Sequence, residues 1–424
     1  MTKGFRLPLR VLLFTDCPDV YGAERWNGQL LTGLRLRGHT VSIAQPMATN
    51  ELTKQLALAG ISQHWLTPVT MDDPWRTFAA DSAHSLDHSE ARAVVAATMP
   101  DVIVCSDGEP GSNLAAKEVA ALAGVPYVVV SHLGYDIEAK ERTFAAPVHH
   151  RIARAHQAAA AIVGVSNSNL QSLNQVFGLA DNVDADARKS IVIPNARPEH
   201  FFAQVDVDQR RQTRTEFGFD DETVVFCTLA RPHPNKRYSI QIDAIRQLQS
   251  HPIASKARFL WAGDGPGLGR LRMLVRAMGL DSVVTICGHV TDSRLLIDAA
   301  DAFVLPSARE GMPLAILEAM AGGLAVIASD VGGVAEALGG TGVLLPDPNV
   351  DRQMTVDALQ KALVDLTIDS TTRQAYGDAA RRRAGAHFRE VTMIDRYETL
   401  LTAIVLGRPT TVGDPMNSAA QAAV

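Results

Sequence analysis

Short apolar runs recur from one end of this chain to the other, and stretches with helical spacing separate them. Leu9–Thr15, Thr40–Ala44, Asp101–Cys105, Tyr127–Val130, Ala158–Val165 and Ile191–Pro194 form a first series, with helices expected over about 24–37 and 113–123. After a polar, charged segment (204–216) the alternation restarts. Thr223–Leu229, Ala257–Ala262, Val283–Cys287, Ala302–Pro306 and Leu324–Ala328 form the second series, with helices expected over 239–249, 267–278 and 293–299. Strands that are apolar throughout, each followed by a helix, specify a parallel sheet covered on both faces. Two series predict two Rossmann-like α/β domains, with ligands outside the carboxyl ends of the strands, in a cleft between them. The expected division is a first domain over 1–203, a linker over 204–221 and a second domain over 222–386. A C-terminal amphipathic helix (387–406) and a disordered Pro-, Asn- and Ala-rich tail (407–424) complete the chain.

Composition narrows the class further. The 424 residues exceed what one core supports, and 46% hydrophobic with 20% charged residues is ordinary for a globular protein. A net charge of −6 gives no electrostatic case for a nucleic-acid partner. No apolar run is long enough to span a bilayer, and Val11-Leu-Leu-Phe14 is too short for a leader. A cytoplasmic location is expected, with peripheral contact at the inner face of a membrane left open. Cys17, Cys105, Cys227 and Cys287 show no zinc spacing and read as free thiols. No histidine has a carboxylate or cysteine partner at metal spacing, including His84, His88 and the pair His149-His150, so no metal site and no cofactor are expected. Arg381–Arg383 reads as a solvated helix face.

The stretch richest in chemistry is Ser307-Ala-Arg-Glu310-Gly-Met-Pro-Leu-Ala-Ile-Leu-Glu318-Ala-Met-Ala-Gly-Gly323. Glu310 follows an apolar strand, and Glu318 lies inside the next helix. Pro313 suits the first helical position, where its missing N–H costs nothing. The amides over Gly311, Met312 and Leu314 would then face out of a helix end that favours anions. Two carboxylates around an anion cradle suit hydroxyl groups on either side of a phosphate. A lone pair of glutamates at this spacing reads as a solvated helix. Here the strand, the Glu-Gly loop, the proline and the Gly-Gly stop occur together, and Gly332-Gly333 follows.

This stretch resembles the signature of the retaining nucleotide-sugar glycosyltransferases of family 4, which have the GT-B fold. It departs at Ala325, where proline is usual. The resemblance extends to Ile193-Pro-Asn195 and Thr341-Gly-Val-Leu-Leu-Pro346 and is strongest from Val192 to Leu345. It implies transfer of a sugar from a nucleoside diphosphate, UDP or GDP, to an acceptor hydroxyl without a metal, and a crossover helix (387–406) that returns to the first domain. Arg231 and Lys236 match the family's loop cations, although Ala230 and Arg237 replace its glycines. They would stabilise the departing diphosphate together with the amides after Glu310. Glu310 would hold sugar hydroxyls and Glu318 the ribose. Gly263 and Asp264 match a Gly-Asp-Gly-Pro turn by the nucleotide. His289 and Val290 match the turn beside the base, where Asp292 reads as a helix cap.

In the first half, Gly22 belongs to a turn whose backbone meets the donor phosphate in the family. Tyr21 replaces a glycine there and is expected either to alter the turn or to close part of the acceptor entrance, while Glu24 reads as a helix cap. His132 matches a histidine near the donor sugar. Asp107, Glu109 and Asp136 are acceptor-side candidates. Trp65, Leu66, Val69, Met71 and Trp75 would line either an apolar acceptor path or core. The acceptor is left open among sugars, lipid-linked intermediates and small molecules. Two other readings stay open: a sugar-nucleotide epimerase or phosphorylase on the same fold, and a non-catalytic relative.

Overall fold

The computed structural model describes residues 7–67, 88–134, 146–177 and 190–410. The chain divides into two compact units, one of residues 1–195 with 391–424, the other of residues 196–390.

In the first unit the strands are β1 (Arg10–Phe14), β2 (Thr40–Pro46), β3 (Ser62–Leu66), β4 (Val102–Asp107), β5 (Tyr127–Ser131), β6 (Ala161–Gly164) and β7 (Ser190–Val192). They pair in the order β3-β2-β1-β4-β5-β6-β7, all parallel. Among its helices are α1 (Gly22–Leu36), α2 (Glu51–Leu58), α3 (His88–Thr98), α4 (Leu114–Ala123), α5 (Ala146–Gln157) and α6 (Asn167–Phe177). Strands β4 and β5 are buried along their whole length, which is why they read as unbroken apolar runs. The strand expected from residue 158 begins only at Ala161, because α5 runs on to Gln157.

In the second unit, which starts at Ala196, α7 (Val207–Glu216) forms where the sequence suggested a linker. Asp206 caps α7 by accepting from the amides of Asp208 and Gln209, both at 3.0 Å. Arg210 and Arg214 then tie it to Asp301 at 2.8 and 3.1 Å. A polar helix is therefore held by ion pairs where an apolar stripe is missing. The sheet follows: β8 (Val224–Leu229), β9 (Ala257–Ala262), β10 (Val284–Gly288), β11 (Ala302–Leu305), β12 (Ala325–Ser329) and β13 (Val343–Leu345). Its order is β10-β9-β8-β11-β12-β13, again all parallel. Among its helices are α8 (Tyr238–Leu248), α9 (Leu268–Ala277), α10 (Ser293–Ala299), α11 (Leu314–Gly322), α12 (Val334–Leu338), α13 (Arg352–Ile368) and α14 (Ser370–His387). Both sheets reverse direction of growth beside their first strand, between β1 and β4 and between β8 and β11, and ligands of such sheets bind at that point.

The last helix, α15 (Glu390–Val405), begins three residues later than expected. The break has a tertiary cause. The Arg197 amide donates to the Phe388 carbonyl at 2.8 Å, and the Glu390 amide donates to the Arg197 carbonyl at 3.0 Å. This short parallel bridge pulls Phe388 and Arg389 out of helical geometry. From Val391 the chain belongs to the first unit, where Glu398 binds both His39 Nε2 (3.1 Å) and Arg37 (2.7 Å). Trp26 meets the Tyr397 ring at 5.2 Å.

Two of the three arginines expected on a solvated face are tied down instead. Arg381 donates to the Phe202 and Ala203 carbonyls. Arg383 donates to Glu336 and Ala337 at the end of α12, where a cation suits the unpaired carbonyls. Among the described residues, no helix is long and apolar enough to cross a membrane. Val69, Met71, Trp75, His84, Asp136 and the tail from 411 lie outside the described residues.

Candidate active site

The second unit's loops after β8 and β11 flank its switch point, and they carry Arg231, Lys236 and Glu310. Within the first loop, Pro234–Lys236 forms one short 3-10 turn capped by His233 Nδ1, which accepts from the Asn235 amide at 3.2 Å. Lys236 Nζ lies 2.5 Å from Glu310 Oε1, with Glu310 buried and Lys236 about a quarter exposed. The Ala308 amide donates to the Asn235 carbonyl at 2.7 Å, so the two loops are also joined through backbone. The arrangement presents a partly exposed lysine beside a buried carboxylate.

Helix α11 starts one residue later than the sequence suggested. Pro313 is its N-cap, with extended backbone (φ −69°, ψ 124°), and Leu314 is the first helical residue. Proline's fixed φ suits either position. Here the Pro313 carbonyl accepts the first intrahelical bonds, from Ile316 and Leu317 at 3.1 and 3.3 Å. The amides of Leu314 and Ala315 precede those bonds and form the positive end of the helix. Gly311, Met312 and Leu314 are buried there, beside Glu310.

Glu318 lies one turn in and is buried, but it is already engaged. Its Oε1 pairs with Arg197 at 2.9 Å and its Oε2 accepts from the Ser293 hydroxyl at 3.2 Å. Neither partner was legible in the sequence, since Arg197 is 121 residues away and carries no motif of its own.

The glycine-rich turns shape this edge through backbone packing. A Cβ on Gly263 would lie 2.1 Å from the Ala230 carbonyl oxygen, one on Gly267 would lie 2.2 Å from that of Pro232, and one on Gly332 would lie 1.8 Å from that of Glu310. The Gly333 amide donates to the Gly311 carbonyl at 2.7 Å and the Gly263 amide to Gly288 at 2.8 Å. These glycines let neighbouring loops touch. Asp264 is exposed and its Oδ1 accepts from the Gly265 amide at 2.7 Å, a local turn contact. His289 is exposed and Val290 half-buried just past β10. Asp292 caps α10 by accepting from the Arg294 amide at 2.9 Å.

In the first unit, Gly22 opens α1, and nothing among the described residues stands within 4 Å of where its Cβ would be. Tyr21 has extended backbone (φ −113°, ψ −157°), a conformation that a residue with a Cβ adopts without strain. Glu24 Oε2 accepts from the Tyr21 amide at 3.0 Å, and burial pushes the Glu24 carboxyl up to about 7. His132 stands past the end of β5, with Nε2 3.1 Å from Ser106 Oγ and its ring 4.7 Å from that of Trp26. Burial lowers His132 to about 3, so its imidazole is neutral at pH 7. Asp107 is buried against Lys117 Nζ and accepts from Asn113 at 3.0 Å. Burial pushes its carboxyl up to about 7. This pair gave no sequence signal as a pair. His88 likewise pairs with Glu118 at 2.6 Å, and Arg151 binds the same carboxylate. Among the described residues, no cluster of three or more His, Cys, Asp or Glu could hold a metal.

Comparison with known proteins identifies the family. Residues 20–197 match the family model described as Glycosyltransferase Family 4, and residues 222–365 match that of Glycosyl transferases group 1. The two matches together take in about three quarters of the chain, and the chain belongs to this glycosyltransferase family with the GT-B fold. A Salmonella typhimurium protein provisionally named as a colanic acid biosynthesis glycosyltransferase is 28% identical over 48% of this chain and 50% of its own. The chain thus spans about half the length of that relative. An Escherichia coli UDP-Gal:alpha-D-GlcNAc-diphosphoundecaprenol alpha-1,3-galactosyltransferase is 25% identical over 70% of this chain and 74% of its own. Among solved structures, Anabaena HepE in complex with UDP-glucose superposes with a TM-score of 0.72 at 19% identity, covering 94% of this chain and 99% of its own. That likeness concerns the fold.

Proposed function

We propose that the chain is a retaining glycosyltransferase that moves a sugar from a nucleoside-diphosphate sugar to an acceptor hydroxyl in glycan, glycolipid or cell-envelope biosynthesis. The observation that carries this reading is the Lys236–Glu310 pair set beside the amino end of α11, with Glu318 one turn further in. Arg231, Lys236 and the amides at Gly311, Met312 and Leu314 would bear the charge that develops on the leaving diphosphate, with no metal ion required. Glu310 would accept from sugar hydroxyls and Glu318 from the ribose. Gly263, Asp264, His289 and Val290 would border the nucleotide, and Gly22 the phosphate. His132, being neutral, would hydrogen-bond the sugar rather than donate a proton as imidazolium.

The family's usual description, same-face attack with the leaving phosphate taking the acceptor proton, fits a site whose carboxylates are held by cations. A sugar or lipid-linked acceptor is favoured by the name of the Escherichia coli relative, and a cytoplasmic enzyme, peripheral at a membrane, is the corresponding location. Titration calorimetry with UDP, GDP, ADP and CDP, without added metal, tests the proposal. Selective micromolar binding of one nucleotide is expected, followed by turnover of its sugar conjugate. Binding of none would overturn it.

A further inference from the structure

Arg197 has no place in the motifs above, yet it holds the carboxylate proposed to receive the ribose. Its Nη2 lies 2.9 Å from Glu318 Oε1, and both side chains are more than nine-tenths buried. Its guanidinium carbon sits over the Phe201 ring, 4.7 Å from the centroid, a cation–π contact. Its backbone is clamped on both sides, donating to Phe388 and accepting from Glu390. On the opposite side of Glu318, Ser293 opens α10, and the neighbouring Arg294 anchors that helix to the carbonyls of His200 (2.6 Å) and Ala203 (3.0 Å). Both partners of Glu318 are therefore themselves held rigidly.

We infer that Arg197 is a positioning residue for nucleotide recognition, holding Glu318 in one rotamer so that its remaining lone pairs accept the ribose hydroxyls. The inference rests on the proposed function. A buried carboxylate is costly unless paired, and an ionised one offers about four acceptor positions. Arg197 and Ser293 use two of them, which leaves room for a pair of vicinal hydroxyls. Hydrogen bonds to a charged acceptor discriminate strongly, because a ligand without the hydroxyl leaves that acceptor unmet.

The test compares affinities for UDP, GDP, ADP and CDP with those for their 2′,3′-dideoxy counterparts, in the full chain and in Arg197→Met and Arg197→Lys. For the nucleotide that binds best, the wild type is expected to prefer the ribose form by about ten- to a hundredfold, as for hydrogen bonds to a charged group. Arg197→Met should shrink that preference to about threefold or less, chiefly by losing affinity for the ribose form, and Arg197→Lys should restore part of it. In turnover, KM for the donor should rise more than kcat falls. A purely structural role would weaken ribose and dideoxy ligands equally. Should Arg197→Met not fold, Arg197→Lys carries the same comparison, with an intermediate ratio expected. A wild type that discriminates while the variants discriminate just as well overturns this role and leaves the function standing. A wild type that binds no nucleotide overturns both.

Discussion

Arg237 occupies the left-handed region (φ 49°, ψ 41°) at the start of α8, where the family loop has glycine. Glycine adopts that conformation without penalty, and a residue with a Cβ does not. The arginine side chain is partly compensated by a bond from Nη2 to Asn349 Oδ1 at 3.1 Å, and Asn349 in turn donates to the Ala308 carbonyl at 2.7 Å. Arg237→Gly should therefore leave stability unchanged or raise it by up to about 1 kcal/mol, read from urea denaturation. A clear loss would mean that the Asn349 tie outweighs the strain. Its neighbour differs in kind, because Lys236 touches Glu310. Lys236→Ala should lower kcat more than Arg237→Ala does, by at least about tenfold, since a buried carboxylate loses its cation as well. The reverse order would reassign the loop. The sequence already separated these two residues by motif position, whereas the reason glycine is usual at 237 needed the dihedral angle.

At the scale of elements, the loops after the strands support one another. Gly332→Ala would set a Cβ against the Glu310 carbonyl at a positive φ of 53°. The variant should lose about 1–3 kcal/mol of stability and should lower turnover more than donor affinity, because the Glu310 loop must shift. Unchanged kinetics would show that the Gly332-Gly333 turn does not set the site. Helix α1 offers a pH test. Glu24 is raised by burial from the ordinary carboxylate value to about 7, so the folded state holds its proton more tightly than the unfolded state does. The resulting contribution is full below about pH 4.5 and is lost as pH rises to about 7, a change of order 3 kcal/mol. Wild type should lose stability relative to Glu24→Gln across that window, and parallel pH profiles would refute the assignment. That Glu24 caps the helix was readable from its position three residues after Tyr21. Its elevated proton affinity was not, because burial is a property of packing.

On the scale of the whole molecule, the chain leaves the first unit after Asn195 and rejoins it at Val391, and α15 then completes that unit. Ile394 fills the space over Gly33, and Glu398 binds the buried His39 and Arg37. Glu398→Ala should cost on the order of 3 kcal/mol, since the buried His39 loses its side-chain partner at Nε2 and Arg37 keeps only Asp395 and the Val391 carbonyl among the described residues, and thermal denaturation would reveal it. A negligible change would place the stability of α15 in its apolar contacts alone.

Much of this protein follows from local pattern. Apolar runs with helical stretches between them led to two parallel sheets, because a strand buried on both faces must be apolar throughout and a helix must show its period. The loops bearing Arg231, Lys236 and Glu310 fell at strand carboxyl ends for the same reason. What the pattern left undecided were contacts between residues far apart in sequence. Arg197 on Glu318, the bridge that breaks the chain at Phe388 and Arg389, and the ion pairs that made a helix of the expected linker all depend on sheet order and packing. Neighbouring residues carry no record of those partners, since an arginine is equally at home in water and over a buried carboxylate. Only the folded chain brings one of them to Glu318.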